Sequence, residues 1–173
     1  MSFRLKSMML LAALPLCVAA MSQEAAATDR FDVKVEVVSF RSLVNTTPGG
    51  NVVVHNARLQ AKIEGSGYQT INHPRIIANP FRTVKVNAKL QFTNIKKPHH
   101  KQRQIKVSSY MTGFYTTADG QKPQHLGIAS SETSIDLFRK ADHSKDDKAV
   151  QTITLKSPRY QMVVRVTVTE LDD

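Results

Sequence analysis

An antiparallel β-sandwich of seven or eight strands, Ig-like in plan, is the fold the sequence predicts, and three observations predict it. Apolar and polar residues alternate with a period of two through most of the chain beyond residue 28. Clusters of Gly, Pro, Asn and Asp punctuate those runs. No convincing stripe at the 3.6-residue helical spacing follows the N-terminal segment. Trp is absent and the chain has one cysteine, so the antibody-type core, a Trp packed on a disulfide, is not expected.

The first element is a leader. Arg4 and Lys6 precede an apolar run from Met8 to Ala20, and small residues close the segment. That order is the pattern of a secretory signal peptide of bacterial type. The run is shorter than the roughly 20 residues a membrane-spanning helix needs. Ala25 and Ala27 place the cleavage before Thr28, and Val18 and Ala20 offer a second point before Met21. Lipidation at Cys17 is disfavoured by the bulky Leu16 before it. The expected organisation is therefore a signal peptide over 1–27 and a single sandwich domain over 28–173. With Cys17 removed, that domain has no disulfide, no thiolate metal site and no cysteine nucleophile. No second apolar segment in it could span a membrane, and the destination is the periplasm, the cell surface or the medium.

Strands follow in order. Phe31, Val33, Val35 and Val37 alternate with Asp32, Lys34 and Glu36. Val53, Ala57, Leu59, Ala61 and Ile63 share a side with His55, and GSG at 65–67 makes a tight turn after them. Val84, Val86, Ala88, Leu90 and Phe92 alternate with Lys85, Asn87, Lys89 and Gln91. Ile105, Val107, Ser109 and Met111 form the next face, then Ile153 with Leu155, and last Met162, Val164, Val166 and Val168. Each run predicts one core face and one wet face. Ser134–Lys140 reads equally as a strand end or a helical turn. TTPGG (46–50), ANP (78–80), ADG (118–120) and SPR (157–159) supply further turns.

Charge is distributed unevenly. The chain carries 24 Lys and Arg against 14 Asp and Glu, a net of +10, which becomes +9 once Arg4, Lys6 and Glu24 leave with the leader. No carboxylate occurs between Glu64 and Asp119. That stretch holds Arg75, Arg82, Lys85, Lys89, Lys96, Lys97, Lys101, Arg103 and Lys106, and the rest of the domain balances. Residues 82–94 and 103–112 read as one hairpin, pairing Phe92 with Ile105, Leu90 with Val107 and Val86 with Met111. Lys85, Lys89 and Lys106 then share the wet face with Tyr110, while Lys96, Lys97, His99, His100, Lys101 and Arg103 crowd the tip. The expected product is an anion-binding basic hairpin. Its expected partners are an anionic surface, a sulfated glycan or lipopolysaccharide; acidic lipid head groups and extracellular DNA present the same charge. Aromatic interleaving is too thin for base stacking along a single strand. The bland alternative is that exposed strand lysines are solvated and deter edge-to-edge pairing.

Other chemistries find little support. His99 and His100 are adjacent, so on a strand they would diverge, and four basic neighbours oppose a divalent cation. His55 reads as a hydrogen-bonded, partly buried residue. No nucleophile elbow, phosphate-cradling Gly loop or paired carboxylate set is visible. Glu132 with Asp136, and Asp146 with Asp147, are the nearest acidic pairs. No enzyme and no cofactor are expected, with a secreted toxin or hydrolase built from distant strands kept as an alternative. The segment FDVKVEVVSF (31–40) directly behind the cleavage point offers a second alternative. Its position resembles the layout of fimbrial subunits in size, export and strand pattern, without the cysteine pair common in them. That resemblance implies donation of residues 31–40 to a neighbouring subunit in an adhesive fibre.

Overall fold

The computed structural model describes residues 29–44, 53–78, 81–99, 101, 103–115, 124–125 and 127–171. The expected signal peptide, with Cys17 and both cleavage points, lies outside them, as do the turns at 46–50 and 118–120, His100 and the side chain of His55.

Nine strands and one helical turn follow in chain order among the described residues. They are β1 (Arg30–Ser42), β2 (Val53–Ile63), β3 (Gly67–Ala78), β4 (Thr83–Lys96), β5 (Ile105–Tyr115), β6 (Gln124–His125), β7 (Ala129–Ile135), α1 (Phe138–Ala141), β8 (Lys148–Lys156) and β9 (Tyr160–Leu171). Two antiparallel sheets form a sandwich. One has the order β4-β1-β9-β8, and the other has β3-β2-β5 with β6 and β7 both on the far edge of β5. The layered all-β fold is the expected one, with nine strands in place of seven or eight. The segment 134–140 is both things its sequence suggested, since β7 ends at Ile135 and α1 begins at Phe138.

Alternation builds the core. Phe31, Val33, Val35 and Val37 of β1 meet Val164, Val166 and Val168 of β9 on the inner face of one sheet. Leu59, Ala61 and Ile63 meet Ile105 and Val107 on the other. Each fully buried large side chain contributes about 1.5–3 kcal/mol. Phe138 of α1 closes one end, its ring edge-on to Phe31 at 5.4 Å. At the other end Phe40 stacks on Tyr160 at 5.9 Å.

Two bulges alter the simple period. In β1 the buried positions run 31, 33, 35, 37 and then 40 and 42, because Val38 is an extra residue against β9. In β4 the buried positions run 86, 90, 92 and then 95. The extra residue there is next to Asn94, which sits at φ 56. Asn is among the few residues that tolerate that left-handed region. Its side chain accepts from Arg30 Nη1 at 3.0 Å and its N–H donates to Asp32 Oδ1 at 2.9 Å. The bulge turns Ile95 into the core and brings Lys97 round to the inner side of the sheet end.

The expected hairpin of residues 82–94 with 103–112 does not form. β4 pairs with β1 in one sheet, and β5 pairs with β2 and β7 in the other. Phe92 lies opposite Val33 and Leu90 opposite Val35; Ile105 lies opposite Ile63, Val107 opposite Ala61 and Met111 opposite Ala57. The physical reason is that parity assigns a face and not a neighbour. Both strands do point their apolar sides into the same core, but from opposite layers. The chain therefore crosses between sheets from the end of β4 to the start of β5, a span of about 10 Å, with Pro98 buried on the way.

β1 is an inner strand. It is hydrogen-bonded along one edge to β4 and along the other to β9, all within its own chain. Residues 31–40, weighed as a strand for a neighbour, are thus paired on both sides at home.

Candidate functional site

The crossing connection disperses the nine expected anion-binding residues. Lys85 and Lys89 stand exposed on the outward face of β4. Lys106 stands on the outward face of the opposite sheet, its Nζ 2.7 Å from Glu132 Oε1. Lys96 is exposed at the end of β4, opposite Arg30. Lys101 and His99 are exposed in the crossing segment. Arg103 is partly buried, its Nε donating to the Pro98 carbonyl at 3.3 Å. His100 lies outside the described residues.

Lys97 is only partly exposed and is engaged by carboxylates of its own chain. Its ammonium donates to Asp29 and, at 2.7 Å, to Asp142 Oδ1. Its backbone N–H also donates to the Asp29 carbonyl at 2.9 Å, so main chain and side chain fix the same contact. The hydrogen bonds to Asp142 and Asp29 raise the Lys97 pKa, and the bond from Lys97 lowers that of Asp142. Glu170 completes the group, held by its N–H donating to the Asp147 carbonyl at 2.7 Å. Partial burial pushes its pKa up, and the nearby Asp142 and Asp29 add to that. One oxygen from each of Asp29, Asp142 and Glu170 falls within 4.8 Å of the others. Three carboxylates of that kind could ligate a cation, but the ammonium of Lys97 already serves two of them as counter-ion. Sequence reading missed this cluster. Its members come from before β1, after α1 and the end of β9, with no local spacing to connect them.

The outward face of the β4-β1-β9-β8 sheet gathers the remaining charge. Strand register sets Lys89, Glu36, Arg165 and Thr152 in one row across it. Gln91, Lys34, Thr167 and Val150 form the next row, and Asp32, Thr169 and Lys148 the one after. Lys85 lies opposite Ser39 on the other side. Lys34, Lys85, Lys89, Lys148 and Arg165 thus share the middle of the face with Asp32 and Glu36, and register puts Arg30, Arg41, Lys96 and Lys156 towards its ends. Glu36 is engaged by Lys34 at 2.7 Å. Among the described residues no carboxylate is within ion-pair distance of Lys85, Lys89 or Arg165.

That face is hollow. A concavity of about 630 Å³ is bounded by Lys85, Lys89, Arg165 and Glu36, with Val38 and Ala88 in its floor. A second, of about 530 Å³, adjoins it across Glu36 and Arg165 and reaches Lys34 and Lys148. Arg165, Lys34 and Lys148 were outside the expected site because they lie outside the carboxylate-free stretch. Their outward parity in β9, β1 and β8 was the available signal.

No protein-family model matches the chain, and no curated protein sequence matches it. Solved structures similar to it include the following three. CC2D1B, which coordinates ESCRT-III activity during mitotic reformation of the nuclear envelope, is 10% identical over 83% of this chain and 56% of that one, with a TM-score of 0.44. The chain thus spans little more than half of that structure. A single domain of plant extended synaptotagmin 1 is 11% identical over 82% of this chain and 96% of that one, with a TM-score of 0.37. Human GIVD cytosolic phospholipase A2 is 12% identical over 84% of this chain and 17% of that one, also at 0.37. At such identities and TM-scores none of them says what this chain binds. No helix among the described residues is long and apolar enough to cross a membrane, which says nothing of a β-barrel.

Proposed function

We propose that this chain is an exported, non-enzymatic sandwich protein, Ig-like in its layering, that binds an anionic partner at the bacterial envelope or outside the cell. The binding surface is the hollow outward face of the β4-β1-β9-β8 sheet. It replaces the basic hairpin that the linear charge pattern suggested. The observation that carries the reading is the row Lys89–Glu36–Arg165 with Lys85 beside it. Cations on three positions of two strands border one concavity, and the nearest carboxylate is already engaged by Lys34. A concave wall with an excess of one sign of charge, here three cations against Glu36, focuses the field and concentrates phosphate, sulfate or carboxylate groups. Lys85 and Lys89 are retained from the sequence expectation; Arg165, Lys34 and Lys148 join them. Lys97 and Lys106, each with its own carboxylate, are set aside.

The test is salt-dependent retention on immobilised heparin and co-sedimentation with vesicles carrying an anionic lipid. Exposed charges lose their attraction as the screening length shrinks. The double substitution Lys85→Glu/Lys89→Glu elutes at clearly lower salt, and reversal of Lys96 and Lys101 shifts elution less. Equal shifts from both pairs would mean that only overall charge matters and would remove the site.

A further inference from the structure

We infer that the opposite outward face, that of the β3-β2-β5-β7 sheet, is a docking platform for an extended polysaccharide bearing carboxylates. Register lays the face out as a grid. Tyr68, Lys62, Lys106 and Ser134 form one row; Thr70, Gln60, Ser108 and Glu132 the next. Two residues further along, Asn72, Arg58, Tyr110 and Ser130 form another.

Two tyrosines stand diagonally across the β3-β2-β5 part of this grid. Tyr68 is 66% exposed and Tyr110 is 44% exposed. They are separated by two strand spacings, about 10 Å, and by four residues along a strand, about 13 Å. Rigid rings at that separation suit an elongated chain touched at both ends. Between them lie amides and hydroxyls, with Gln60 Nε2 donating to Thr70 Oγ1 at 3.5 Å. A concavity of about 240 Å³ beside Tyr110 is bordered by Asn56, Arg58, Asn72 and Thr112.

The chemistry selects the occupant. A pyranose ring presents an apolar C–H face, which a tyrosine face covers while its hydroxyl stays wet. Its equatorial hydroxyls match the planar amides of Asn72 and Gln60 and the guanidinium of Arg58. Arg58 and Lys62 are in no ion pair among the described residues, so they are available to sugar carboxylates. A nucleic-acid strand fits less well. Its bases need stacking partners at successive positions, and Tyr68 and Tyr110 are two strands and four residues apart. A protein interface would seat these rings in an apolar, fully desolvated core, and none of the three rows holds an aliphatic residue.

The full chain is titrated at physiological salt with soluble polygalacturonate while the near-ultraviolet tyrosine difference spectrum and the binding heat are followed. The expected result is a perturbed tyrosine spectrum. Tyr68→Ala/Tyr110→Ala then binds about tenfold more weakly with an unchanged melting temperature. Tyr68→Phe/Tyr110→Phe keeps most of the affinity, because the ring and not the hydroxyl does the stacking. The tyrosine dependence separates this platform from the opposite outward face, on which register places no tyrosine among the described residues. Wild-type affinity in the double alanine variant overturns the inference. A single-stranded oligonucleotide bound equally well with the same tyrosine dependence also overturns it, in favour of nucleic acid.

Discussion

The hydroxyl of Tyr160 on β9 lies 2.6 Å from the hydroxyl of Ser109 on β5, and the pair ties the two sheets together inside an otherwise apolar core. Tyr160 also donates to the Ser109 carbonyl at 3.1 Å. Both residues are completely buried. A buried hydroxyl left without a partner costs about 1–3 kcal/mol. Tyr160→Phe strands the Ser109 hydroxyl, whereas Ser109→Ala leaves the phenol its carbonyl acceptor. Tyr160→Phe is therefore expected to be the more destabilising change in urea unfolding. Equal losses would show that the carbonyl contact adds nothing.

The same phenol sets an alkaline limit. Burial pushes its pKa up, partly offset by the bond from Ser109. A group whose folded pKa lies above its unfolded value favours the folded state below the unfolded pKa, near 10 for tyrosine. That contribution is lost as pH rises from there through the folded value. Stability of the wild type should thus fall more steeply above about pH 10 than that of Tyr160→Phe, read as denaturation midpoints at stepped pH.

How much of this was legible differs from element to element. The alternation in β1, β4 and β9 identified core faces correctly, since period two is a local property of the chain. The Val38 and Asn94 bulges were not visible, because one extra residue in a strand looks like ordinary sequence until a partner strand is laid beside it. The partner of β4 was equally hidden. β1 lies more than forty residues before it, while β5 is the nearer strand and has the matching parity. That single error moved Lys106 to the wrong face and kept Lys97 at a solvent-facing tip. Lys85 and Lys89 stand outward as read, because that parity depends on no neighbour.

Asn94 gives a direct test of the bulge. At φ 56 a β-branched residue is strained by about 1–2 kcal/mol. Asn94→Val also removes the acceptor for Arg30. It should cost stability on that scale, while Asn94→Gly, free of the steric penalty, should stay closer to wild type. A valine variant as stable as the glycine one would mean that β4 runs straight at this point.

Lys97 bridges Asp29 and Asp142 beside Glu170, and its removal should be felt according to their ionisation. Lys97→Met leaves Asp29, Asp142 and Glu170 mutually repelling at neutral pH, for a loss of about 1 kcal/mol in so partly exposed a cluster. The sign follows from the shifts. Asp142 is lowered by Lys97, so its contribution is present above the ordinary aspartate range and lost as pH falls through the folded value. Lys97 is raised, so its contribution is present below the ordinary lysine value and lost as pH rises past it. The difference between wild type and Lys97→Met should therefore be largest between about pH 5 and 10 and shrink towards pH 3. A difference independent of pH would assign the effect to packing of the lysine stem.

Glu36 offers the sharpest test of the proposed anion site, because it predicts a gain. It stands in the row between Lys89 and Arg165 and is the only carboxylate bordering the larger concavity among the described residues. Its negative charge offsets part of the field that an incoming phosphate or sulfate meets. Glu36→Gln keeps the shape and removes the charge, and it frees Lys34 from its 2.7 Å ion pair. Retention on heparin should then extend to higher salt than for wild type, while Arg165→Glu should elute earlier, by an amount similar to Lys89→Glu. Screening makes the spread between these variants narrow as the salt at elution rises. If Glu36→Gln instead eluted earlier, Glu36 would be organising the cations and not opposing the ligand. If all three variants eluted with wild type, the hollow face of this sheet would not be where the anion binds.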